Sequence, residues 1–172
     1  MDELHLPAAL ENSQCVLVAG AGGGFDMYAG LSIYERLRSL GKRAFLANLS
    51  FVSLGGSNAK PLTHALYAVG PRTTGHELYF PERTLAQFLS RRGESVTAYA
   101  FEKLGVAPIR EGYTHLVQSL GLDAIVLVDG GLGTPAEDMA SLAAVKAMNV
   151  PTRVVICVGF GVDTYHGVCH TN

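Results

Sequence analysis

The residues best placed to do chemistry fall at the ends of apolar runs. Gly20-Ala21-Gly22-Gly23-Gly24-Phe25-Asp26 follows one such run and precedes an amphipathic stretch. Residues without side chains let backbone N–H groups approach an anion closely, and a helix beginning just afterwards adds its positive dipole end. Phosphate, or the pyrophosphate of a dinucleotide such as NAD, is the natural guest. The match to a dinucleotide fingerprint is partial, because Phe25 stands where the third glycine would be. Asp26 would repel an anion unless it points away or caps the helix. A tight strand-to-helix turn with no ligand accounts for the same residues.

Asp129-Gly130-Gly131 ends another apolar run. An acid there can hold a ribose hydroxyl or a metal-bound water, and the glycines permit close approach of a ligand; a plain turn capping the next element is the alternative. The segment from Asp163 to His170 holds Asp163, Tyr165, His166, Cys169 and His170. His166 can act as a general acid or base with Asp163 orienting it. His166 and Cys169, three apart, can also share a helix face and bind zinc, although no second ligand pair has the standard spacing. A polar loop of hydrogen-bonded histidines needs neither role. Cys169, beside His170, becomes a nucleophile only if the histidine lowers its pKa. Asn48, Ser50 and Glu102 also stand at run ends; Asn48 can equally satisfy buried backbone, and Glu102 reads equally well as a solvated helix-start residue.

The elements that must position these residues show in the hydrophobic pattern. Cys15–Ala19, Ala44–Leu49, Ala124–Val128 and Val154–Val158 are unbroken apolar runs without polar alternation, which suits strands of a parallel sheet covered on both faces. Val96–Phe101 is a fifth strand candidate, and Ala65–Val69 is a short strand or loop. Helices are expected over Asp26–Leu40, capped by Asp26 and ended by Gly41, over Pro81–Arg91, over Pro108–Leu120, and after Thr134, where Thr134, Pro135 and Glu137 form a capping box. Strand and helix alternate, so the expected architecture is a Rossmann-like, doubly wound α/β fold with a mostly parallel sheet of about five or more strands. In such a sheet the strand ends share one edge and converge on one cleft.

Composition narrows the function classes. The 172 residues suit a single domain over residues 1–172. With 48% hydrophobic and 16% charged residues, the composition argues against disorder. The net charge of −2 leaves no basic stripe for nucleic acid. No apolar run approaches a membrane span, and the acidic start lacks a secretory signal's basic region, so a cytoplasmic protein is expected. Three cysteines do not make a disulfide framework, and Cys15 and Cys157 read as small core residues. Thin surface charge points to a homo-oligomer with buried helix faces.

Four ordered motifs carry a resemblance over nearly the whole chain. VLVAGAGGGFDMYAGLSIYERL, AFLANLSF, VLVDGG with LGTPAEDMASLAAV, and VGFGVDTYHGVCH resemble the domain-of-unknown-function 1152 family. The resemblance implies a cytoplasmic prokaryotic protein and supplies no activity, substrate or catalytic residue to transfer. It also implies further residues after Asn172 and a polar insertion between Gly131 and Leu132, so that the chain is C-terminally incomplete relative to that family. Locally, the GAG turn followed by Ala29-Gly30-Leu31-Ser32-Ile33-Tyr34 is similar to the sirtuin-type NAD-binding start. There Ser32 replaces a proline, the spacing is longer, and no arginine follows Tyr34, so no catalytic residue carries over.

The resulting expectation is an enzyme that binds a phosphate-containing small molecule, a nucleotide or NAD-like ligand, and acts on a glycosidic or phosphate bond. Gly20, Gly22, Gly23, Gly24, Asp26, Asn48, Asp129 and Gly130 would bind the ligand, with Asp163 and His166 as catalytic groups. The alternatives are a metal-dependent hydrolase using Asp129, Asp163, His166 and His170, and a non-catalytic ligand-binding protein.

Overall fold

A computed structural model describes residues 5–76, 78–130 and 135–158. The expected Asp163, Tyr165, His166, Cys169 and His170, and the cap at Thr134, lie outside the described residues.

In chain order the elements are β1 (Cys15–Gly20), α1 (Asp26–Ala29), α2 (Leu31–Ser39), β2 (Arg43–Leu49), β3 (Lys60–Pro61), β4 (Leu66–Val69), α3 (Pro81–Arg91), β5 (Ala98–Phe101), α4 (Val106–Leu120), β6 (Ala124–Asp129), α5 (Pro135–Lys146) and β7 (Thr152–Cys157). They build one seven-stranded sheet in the order β3-β4-β5-β2-β1-β6-β7. The five strands read from apolar runs, β5, β2, β1, β6 and β7, are mutually parallel. The β3–β4 pair adds an antiparallel edge against β5. The fold is thus a Rossmann-like, doubly wound α/β sheet.

Its two covered faces explain the unbroken runs. On one face Val16, Val18, Leu46, Val126 and Val128 pack with Ile33, Tyr34 and Leu37 of α2 and Leu85 and Leu89 of α3. On the other, Leu17, Ala19, Ala47, Ile125 and Leu127 pack with Ile109, Tyr113 and Leu116 of α4 and Ala144 and Val145 of α5. Successive residues of one strand serve opposite cores, so every position of β1 is buried.

Some expectations needed correction. The helix expected over Asp26–Leu40 is two, α1 and α2, broken at Gly30, where a Cβ would lie 2.7 Å from Val18 Cγ1 and 3.2 Å from Val128 Cγ2. Asp26 does not cap by its side chain; it is the first residue of α1, after Phe25. Cys157, unlike the buried Cys15, is exposed, because it sits on β7, at the sheet edge, where Arg153, Val155 and Cys157 form an exposed row. Among the described residues no helix is long and apolar enough to cross a membrane.

Candidate functional site

Reading only the parallel strands, the order is third, second, first, fourth, fifth, and the winding direction reverses between β1 and β6. At that reversal the connections after two adjacent strands diverge to opposite faces, leaving a crevice beyond their carboxyl ends. Gly20 ends β1 and Asp129 ends β6, and the Ala21 N–H still donates to the Val128 carbonyl at 2.9 Å, so the two ends are held together. The Gly20–Gly24 turn and Asp129-Gly130 therefore meet there.

The turn curls because Gly23 (φ 93°) and Gly24 (φ 59°) take left-handed conformations that residues with a Cβ avoid. Its curl brings Asp26 back beneath it. The Asp26 carboxylate accepts from the Gly22 N–H at 2.7 Å through Oδ2 and from the Gly130 N–H at 3.1 Å through Oδ1. One buried side chain thus ties the ends of β1 and β6. Burial pushes its carboxyl above the ordinary range; the hydrogen bonds from Gly22 and Gly130 oppose this, and the charge of Asp129 adds to it. Asp138, on the first turn of α5, completes a group in which Asp26, Asp129 and Asp138 each offer an oxygen within 4.8 Å of the others. Ser141, one turn on, donates to the Ala21 carbonyl at 2.6 Å and fixes α5 to the turn.

A cavity of about 330 Å³ opens beside this group, lined by Gly23, Gly24, Phe25, Asp26, Ala29, Phe51, Tyr79 and Gly130. Phe25 meets the Tyr79 ring edge-on, with centroids 5.7 Å apart. Phe25, Phe51 and Tyr79 are 63%, 44% and 45% exposed, which leaves ring surface for a planar guest. No lysine or arginine is among these lining residues. Lys103 lies over the Phe51 ring, 4.1 Å from its centroid. A larger, shallow hollow of about 770 Å³ lies around Asn58, Gly70–Thr73 and Ser95–Thr97, at the amino end of β5 and away from the glycine turn. The smaller cavity has the position and chemistry of a ligand site.

Asn48 does not line this cavity. Its Nδ2 donates to the Gly24 carbonyl at 3.0 Å and to Glu82 Oε1 at 2.9 Å, so it braces the glycine turn from behind. Both acceptors lie on the Nδ2 side, which fixes the amide's orientation. A Cβ at Gly20 would collide with Asn48 Oδ1, so glycine is required there for packing. Glu82, in the first turn of α3, is wholly buried, and burial pushes its carboxyl up against the opposing hydrogen bond from Asn48. Tyr28, beside it, is pushed up to about 12 by burial and by Glu82. Glu102 stands apart: its Oε1 accepts from the Gly55 N–H at 3.1 Å and holds a loop.

The structure thus brings together Gly22, Gly23, Gly24, Asp26, Asp129 and Gly130. Asn48 and Gly20 sit behind them. Asp138, Glu82, Phe51 and Tyr79 escaped sequence reasoning. Asp138 had one usable signal, an acid in the first turn of the helix after β6, but Glu137 beside it took the capping role. Glu82 looks like any acid at a helix start.

Fold and site define a doubly wound α/β protein with an acidic, aromatic-lined cleft at its topological reversal. No protein-family model, curated protein or solved structure matches the chain.

Proposed function

We propose that this cleft binds a nucleoside-type ligand, of which NAD is one example, and that the chain acts at its glycosidic bond. The observation that carries this reading is the cavity at the ends of β1 and β6, with Asp26 in its lining, Asp129 and Asp138 offering oxygens within 4.8 Å of Asp26, aromatic rings at its side and no lysine or arginine among its described lining residues. A planar base suits the rings of Phe51 and Tyr79. Ribose hydroxyls are donors and suit the carboxylates of Asp129 and Asp26.

Electrostatics chooses between the two bonds. Phosphoryl transfer spreads negative charge over the transferred group and calls for cations or metal. Cleavage of a glycosidic bond develops positive charge on the sugar ring. The acidic group formed by Asp26, in the lining, with Asp129 and Asp138 beside it favours the second. In hydrolysis the C1′–N bond breaks with its electron pair passing to the base; the base of a neutral nucleoside takes up a proton, whereas the nicotinamide of NAD leaves neutral without one. Water adds its oxygen to C1′ and gives up a proton, and we assign its acceptance to Asp129, the less buried neighbour of Asp26. Of the residues of the metal-dependent alternative, Asp163, His166 and His170 lie outside the described residues, and Asp129 stands with Asp26 and Asp138 in one acidic group. Acidic groups are common without an ion, and among the described residues no histidine joins this one.

The test is a panel of nucleosides and NAD, followed by chromatography of the released base. Turnover is expected with at least one member, and Asp129→Asn should lower kcat about 10²- to 10³-fold, as when other transition-state electrostatic groups are removed. Neither binding nor base release across the panel overturns the proposal.

A further inference from the structure

The amides of the glycine turn are the groups that hold phosphate in dinucleotide sites. Here the chain fills that place itself. The Gly22 N–H, from the end of β1, and the Gly130 N–H, from the end of β6, converge on the two oxygens of one carboxylate, that of Asp26, at 2.7 and 3.1 Å. Asp26 is only 4% exposed, so this is an interior contact. It sits in the first turn of α1, four residues after Gly22, so the turn and its internal anion are encoded together. The surroundings reinforce the exclusion. Asp129 and Asp138 present oxygens within 4.8 Å of Asp26. A Cβ at Gly22 would meet both Asp138 Oδ1 and, at 3.2 Å, Asp26 Oδ2, so carboxylates crowd the turn where a phosphate would approach.

A phosphate monoester carries about two negative charges at neutral pH. To reach these amides it would have to displace Asp26 and then face three carboxylates. A hydroxyl or ammonium group faces the opposite balance, since it is attracted by the same charges and the Asp26 carboxylate has acceptor capacity beyond the amides it already satisfies. We propose that Asp26 is the specificity-determining residue of the cleft: its carboxylate occupies the amide cradle, so the part of a ligand seated on the floor is a hydrogen-bond donor and not an anion. The assignment of ligand class rests on the cleft being the ligand site. Any phosphate on the ligand then points away from the glycine turn.

The experiment uses the ¹⁵N-labelled chain and inorganic phosphate as the probe, read at the Gly22 and Gly130 amides. In the wild type these resonances should not move in millimolar phosphate. In Asp26→Ala they should shift and saturate, because both amides are vacated. Asp138→Ala removes a neighbouring charge but leaves the cradle filled, and should stay as unresponsive as the wild type. Saturable shifts in the wild type or in Asp138→Ala overturn the proposal, as does a folded Asp26→Ala that ignores phosphate. If Asp26→Ala does not fold, affinities of the wild type for adenosine, AMP and ADP decide: values within about threefold support the proposal, and a gain of more than about tenfold with added phosphate overturns it. If no nucleoside binds, the proposed function falls, while the phosphate titration of the wild type and Asp138→Ala still judges Asp26.

Discussion

Glu82 and Asp26 are carboxyls that the fold holds where water cannot reach them easily. Glu82 is wholly buried, with its Oε1 bonded to Asn48. Burial raises both groups, outweighing the hydrogen bonds that oppose it. The folded chain therefore keeps protons on them at pH values where the unfolded chain has already lost its own. In that window the folded state binds more protons, so stability declines as pH rises. It is greatest below the ordinary carboxylate range and falls as pH passes through the raised folded values. Glu82→Gln removes one of the two groups while keeping an oxygen that can accept from Asn48. Its urea midpoint, followed from roughly pH 5 to 8, should fall less steeply than that of the wild type, with an advantage that widens toward neutral pH. Glu82→Ala should instead cost about 1–3 kcal/mol, because the Asn48 amide loses a buried acceptor. Parallel curves for Glu82→Gln and the wild type would show that Glu82 is not a raised group.

At the scale of elements, packing between α4 and the sheet turns on Gly112. A Cβ there would lie 2.6 Å from Phe101 Cε1 and 3.1 Å from Leu66 Cβ, and Phe101 is itself stacked on Tyr113 with centroids 4.5 Å apart. Alanine at 112 would gain about 1 kcal/mol in helix propensity, but overpacking of a filled core costs about 1–3 kcal/mol. A lower urea midpoint is the expected outcome, and an unchanged or higher one would mean that α4 can move off the sheet freely. The same scale shows what the sequence makes legible. The strands β1, β2 and β6 can be read because covered faces demand unbroken apolar runs, β7 is equally apolar although one of its faces is exposed, and Pro81–Arg91 can be read because proline and arginine mark its ends. The β3 strand, Lys60–Pro61, is two residues long and carries no pattern. The need for glycine at position 30 comes from the closeness of Val18 and Val128, which are distant in sequence. The site divides in the same way. Gly22, Asp26 and Asp129 announce themselves as glycines and acids at strand ends. Glu82, Phe51 and Tyr79 join the site only through tertiary burial and proximity, which local spacing does not record.

For the whole molecule the sheet acts as a wall between its two larger cores, with a third, smaller cluster around Leu54, Val69 and Phe80. Ile33 of α2 belongs to one and Ile109 of α4 to the other, at 5% and 1% exposure. Neither cluster contains a residue of the other, because successive strand positions point to opposite faces. Ile33→Val and Ile109→Val each delete one buried methylene, at about 0.5–1.5 kcal/mol apiece. Mutations without shared partners add to within about 0.5 kcal/mol, whereas residues that share a cavity or a backbone shift do not. The double variant should therefore lose the sum of the single losses, measured by urea unfolding with an unchanged slope. A coupling well beyond that margin would mean that the sheet transmits a shift from one helical layer to the other. The crevice at the ends of β1 and β6 would then respond to repacking on either side, because α1 packs against both strands on one face while α5, bonded to the turn through Ser141, packs on the other.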